Sequence, residues 1–266
     1  MRWGYSFVLA ALLAWSAHAQ EPKSEIREFD IATLEELGRQ MYVQDLAAWR
    51  GTDALMAKYS QATLQAEKVR GWIVVDKAEG PLVRFIRDGD AGPEAAYDIN
   101  DPLERPVVSV PADRHLSETE KALFAARSLA IANIATRCSQ TYNTIVLKDP
   151  KSSGWLAWTL ASTTKDGEIA MGIHYRFTIS PDGKAIDRRD ALLRSCFIME
   201  KSKDDKGKPE AVVMTQLVSN LPVETYVFLS LQHSIPIYVM TPDRVLWAVE
   251  GDKIRQIETK PESGKP

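Results

Sequence analysis

The sequence predicts an α+β fold: N-terminal helices and a small β-hairpin region, then a long helix packed on an antiparallel β-sheet. Three observations carry this expectation. From Glu168 to Ser180 the odd positions Ile169, Met171, Ile173, Tyr175, Phe177 and Ile179 are apolar or aromatic, while the even positions are small or polar. Side chains alternate faces along a strand, so the pattern describes a long strand with one buried side. Ser117 and Glu120 form a capping box ahead of Leu123, Phe124, Ile131, Ile134 and Cys138, which recur at helical spacing. Between residues 141 and 257 short apolar runs alternate with turn sequences such as Asp166-Gly167, Asp182-Gly183 and Thr241-Pro242-Asp243. No helical pattern intervenes, as in a sheet built from hairpins.

Residues 1–19 read as a secretory leader. Arg2 supplies the positive start, Phe7 to Trp15 the apolar core, and Ala17-His18-Ala19 the small residues ahead of cleavage between Ala19 and Gln20. The apolar core is far short of the roughly 20 residues that span a bilayer. No later segment is long and apolar enough to do so, and no cysteine near the cleavage point invites a lipid anchor.

Residues 20–112 form the expected helical and hairpin region. Thr33 and Glu36 make a capping-box pattern ahead of Leu34, Leu37, Met41 and Ala48. Gly51 reads as a helix stop, and Asp53 as the cap of a second short helix. Short strands follow around Gly71–Val75, Leu82–Ile86 and Ala95–Ile99.

Residues 113–257 hold the helix and the sheet. Strands are expected at 141–147, 155–163, 169–180, 184–188, 192–199, 211–219, 223–232, 236–240 and 245–249, with 253–257 as a further one. The charged stretch from Glu200 to Glu210 is an expected hairpin tip or linker, and residues 258–266 an expected disordered tail.

Composition excludes some partners. The chain carries 33 Lys and Arg against 36 Asp and Glu, a net charge of −3, with no concentrated basic face for nucleic acid. The two cysteines, Cys138 and Cys196, are expected to form one disulfide in an oxidising compartment. In the chain-entropy view, closing that loop stabilises the fold by about 4 kcal/mol.

The familiar catalytic signatures GxSxG, HExxH, the Walker loop and GxGxxG are missing from the sequence. His115, His174 and His233 are too scattered to announce a zinc site, and Asp88, Asp90 and Asp98 lack the spacing of an EF-hand loop. No cofactor and no metal is expected. One constellation carries chemistry. His174, Arg176 and Thr178 are two residues apart and share a strand face, and a tight hairpin at Asp182-Gly183 sets Thr178 beside Asp187 and His174 beside Ala191. A histidine oriented by Asp187 can act as a base, although a solvated sheet face is the simpler reading. Ser180 and Ser195 sit on no recognisable nucleophile elbow. Trp155 and Trp158 point to opposite faces of one strand, so they pack a core and do not form one sugar platform.

The resulting expectation is an exported, periplasmic or secreted bacterial protein. It is read as non-enzymatic, binding a protein or an envelope component. The alternatives are a periplasmic hydrolase using His174 with Asp187, and a small-molecule carrier.

Overall fold

The structure, a computed structural model, describes residues 24–163, 168–200 and 210–258. The expected leader, the Asp166-Gly167 turn, most of the charged stretch and nearly all of the expected tail lie outside the described residues.

Helix α1 (Ile31–Lys58) is a single 28-residue element, where two shorter helices were expected. Its N-cap is Asp30, whose carboxylate accepts from the Thr33 backbone N–H at 2.8 Å. Glu36, expected to reach back to Thr33, instead bonds Arg39 and Gln40 on the next turn. Gly51 does not stop the helix. It is buried, and a Cβ there would lie 3.3 Å from the Val83 side chain, so the missing side chain lets the helix close on its neighbours. Gly38 does the same against Val227. Tight packing offsets the roughly 1 kcal/mol that each glycine costs a helix.

A short helix α2 (Gln61–Ala66) leads into a four-stranded meander of β1 (Val69–Lys77), β2 (Gly80–Gly89), β3 (Gly92–Asn100) and β4 (Val107–Ser109). Helix α3 (Glu118–Ala132) opens with the expected capping box of Ser117 and Glu120. It ends at Ala132, short of Cys138. Asn133 closes it by donating its side-chain N–H to the Leu129 carbonyl.

The expected single sheet of the C-terminal half is three separate sheets among the described residues. The first has the order β5 (Thr141–Lys148), β6 (Trp155–Ser162), β8 (Tyr175–Ile179), β9 (Ile186–Ala191), all antiparallel. The second pairs β7 (Glu168–Ala170) with β10 (Ile198–Glu200). The third has the order β11 (Val212–Thr215), β12 (Ile237–Met240), β13 (Leu246–Glu250), β14 (Lys253–Ile257), with β11 parallel to β12. Residues expected as the strand 223–232 form helix α4 (Glu224–His233). Glu224 to Ser230 are all buried. A helix enclosed on every side needs apolar residues all round, and such a run cannot be told from a buried strand by periodicity.

The sheet β5-β6-β8-β9 is buried on both faces. Ala157, Tyr175 and Phe177 share one apolar core with Leu123, Ala126 and Ala130 of α3. Leu156, Trp158 and Leu160 share another with Leu37 and Met41 of α1 and with Tyr226 and Val227 of α4. These cores join residues on both sides of position 112. A third core holds Ala47 and Leu55 of α1 with Val83, Tyr97 and Ile99 of the meander. Trp155 and Trp158 fall in different cores, as their odd spacing requires.

The disulfide between Cys138 and Cys196 is present, with Cα atoms 5.4 Å apart and a sequence separation of 58. It ties the loop after α3 to the loop before β10, where a helix-to-strand link was expected.

Candidate functional site

The long strand expected at 168–180 is interrupted. After β7 the chain turns at Ile173, whose φ of 27° is a strained value for a β-branched residue, and resumes as β8. His174 is therefore not on a solvated face; it is 2% exposed. Its Nδ1 accepts from the Ala161 backbone N–H at 3.1 Å, so the neutral ring carries its proton on Nε2. Burial pushes its pKa down to about 4.

Asp187 does not meet His174. The ladder pairs Thr178 with Arg188 and Ile179 with Ile186, which leaves Asp187 as the extra residue of a bulge, exposed and without a side-chain partner among the described residues. That one-residue slip moves Asp190 opposite Arg176. Ser180 is engaged in the following turn, donating to Asp182 at 2.6 Å. Ser195 and His115 are exposed, and His233 ends α4. Among the described residues no group of three or more His, Cys, Asp or Glu side chains could hold a metal ion.

What the polar face of β8 builds instead is a buried charge cluster. Arg176 is 1% exposed and donates to Asp190 at 2.9 Å and to Glu224 at 3.0 Å. Trp158 Nε1 donates to Glu224 at 2.7 Å. The segment ahead of α1 completes it: the Arg27 carbonyl accepts from Arg176, the Arg27 N–H donates to Asp190, and its guanidinium grips Asp149 with two bonds. Phe29 lies between Arg27 and Arg176, 4.7 and 4.9 Å from their guanidinium carbons. Every carboxylate here has a cationic partner, and the cluster fastens β8, β9, α4 and the N-terminal segment together.

A cleft with unsatisfied groups lies elsewhere, between α1, β1, β5 and the end of α4, with a volume of about 460 Å³. Helix α1 contributes Gln44, Asp45, Trp49 and Thr52; β1 contributes Trp72; β5 contributes Asn143 and Thr144; α4 contributes Gln232. Trp49, one turn beyond Asp45, is 63% exposed at the rim. Asp45 accepts from Asn143 and from Gln232, each at 3.3 Å, and burial raises its pKa to about 6.

Gln44 and Thr144 are each 7% exposed, and the Thr144 hydroxyl is fully enclosed with no hydrogen-bond partner among the described residues. Behind them a space of about 20 Å³ continues inward, lined by the same two residues, Trp72 and Arg127 of α3. The Arg127 guanidinium stacks on the Trp72 ring at 4.3 Å and has no carboxylate partner among the described residues, and burial lowers its pKa to about 10. Buried polar groups are ordinarily hydrogen-bonded, so the enclosed, unpaired Thr144 hydroxyl beside the Gln44 amide marks a place where a partner group is missing.

Sequence reasoning passed over these residues because none belongs to a motif. They come from five separated segments and converge only when α1 lies across β1 and β5. The one local signal was Trp49, whose neighbours along the same helix face, Asp45, Thr52 and Asp53, are polar. The chain matches no family model, no curated protein and no solved structure.

Proposed function

We propose that this is an exported, non-enzymatic protein that binds an envelope component in the cleft at Gln44 and Thr144. The observation that carries this reading is the nine-tenths-buried, unpartnered Thr144 hydroxyl, which with the Gln44 amide lines an opening of small-molecule-site size. The leader-like N-terminus and the disulfide support export to an oxidising compartment. The hydrolase expectation gains nothing from the geometry, since His174 is enclosed and Asp187 points to solvent.

The test is co-sedimentation of the chain beginning at Gln20 with purified envelope fragments. The wild type should be retained and Gln44→Leu should not, with both equally folded. Equal retention of the two proteins would remove the cleft from the account. Export is checked separately by the mass of the protein recovered from the periplasm or medium, which should correspond to a start at Gln20; recovery there with Met1 intact would contradict it.

A further inference from the structure

We infer that the occupant of the cleft is an uncharged saccharide, seated with a sugar ring against Trp49 and its hydroxyls bonded to Gln44, Thr144 and Asp45. This rests on the reading of the cleft as a binding site and names its ligand class.

The lining selects the chemistry. Gln44, Asn143 and Gln232 are amides and Thr144 is a hydroxyl, so each can both donate and accept. A hydroxyl-bearing ligand offers the same duality and can satisfy Gln44 and Thr144 together. An apolar ligand leaves the enclosed Thr144 hydroxyl orphaned, at its desolvation cost. Asp45 accepts from Asn143 and Gln232 through one oxygen each, which leaves lone pairs for a further donor.

Charge argues for a neutral molecule. Asp45 is largely ionised at neutral pH and repels an anion, while Arg127 opposes a cation. Arg127 offers no anion site either, because the space before it, about 20 Å³, takes one water-sized group such as a hydroxyl and excludes a carboxylate or phosphate. Trp49 supplies the broad apolar surface that the C–H face of a sugar ring requires, at the rim of the same opening.

The experiment titrates the wild-type chain with a panel of soluble neutral trisaccharides built from glucose in α and β linkage, mannose, galactose and N-acetylglucosamine, up to about 10 mM. Tryptophan fluorescence and the side-chain amide signals of Gln44, Asn143 and Gln232 report occupancy. At least one trisaccharide should bind saturably and compete with envelope fragments. Gln44→Leu should weaken it about tenfold, as expected when a buried hydrogen bond is lost. Trp49→Ala should weaken it by a similar factor. Thr159→Val, which removes another unpartnered hydroxyl outside the cleft, should leave it unchanged.

Failure of the whole panel to bind or compete, or binding indifferent to both Gln44→Leu and Trp49→Ala, overturns the saccharide inference. If envelope retention still depends on Gln44 in that case, the cleft reading survives with a different ligand. Loss of that dependence overturns both.

Discussion

At the scale of single residues, burial decides behaviour more than residue type does. His174 was expected on a wet sheet face and is enclosed; the parity argument located its face correctly but not what covers it, because α1, α4 and the chain ahead of α1 pack there from far away in sequence. Its pKa, about 4 when folded, lies below the ordinary value of 6.5. The unfolded chain therefore takes up a proton first as pH falls, and the stabilisation held above pH 6.5 drains away between pH 6.5 and 4, by about 3 kcal/mol at the limit. Asp45 has the opposite sign. Its folded pKa of about 6 exceeds the ordinary 3.8, so its burial costs stability above pH 6 and the cost vanishes below pH 4. Urea midpoints should show Asp45→Asn more stable than wild type at pH 7, by about 1 kcal/mol or more, and indistinguishable from it at pH 4. An advantage that persists undiminished at pH 4 would show that the Asp45 carboxylate is not the source of the strain. His174→Gln should show a deficit at pH 7 that narrows toward pH 4.

At the scale of elements, the places where local pattern misled are those where tertiary packing overrode it. Gly51 carries the signature of a helix end, yet α1 runs through it because the absent side chain admits Val83. The apolar stretch after Val223 fits a strand and a buried helix equally, and enclosure on all sides selected the helix. The legible elements were those with their own punctuation: the capping box that starts α3 and the hairpin strands of the meander. The bulge at Asp187 was not legible, and it sets Asp190 opposite Arg176. Removing Arg176 strands two enclosed carboxylates, so Arg176→Ala should cost about 3–5 kcal/mol. Arg188, whose guanidinium also reaches Asp190 but is 47% exposed, should cost less than about 1 kcal/mol as Arg188→Ala. Equal costs in a denaturant series would show that the cluster is wetter than its packing indicates. Phe177→Ala, in the opposite core, should cost about 3 kcal/mol or more.

At the scale of the whole molecule, the disulfide and the ion cluster both close long loops around the sheet β5-β6-β8-β9. Reducing the disulfide should release about 4 kcal/mol and lower Tm by about 10 °C; an unchanged Tm after verified reduction would mean that the two loops are held without it. The cysteine pairing was readable from the even number of cysteines and the expectation of export, and the cleft was not, since its residues become neighbours only in the assembled fold. The central claim is that the buried Thr144 hydroxyl is left unpartnered for a ligand. Thr144→Val keeps the shape of the side chain and deletes the hydroxyl, so the measurement that tests the claim most directly pairs its urea midpoint with its retention on envelope fragments. The account predicts stability equal to wild type or up to about 1 kcal/mol higher, with retention lost. Retention equal to wild type, or a substantial loss of stability, would contradict it.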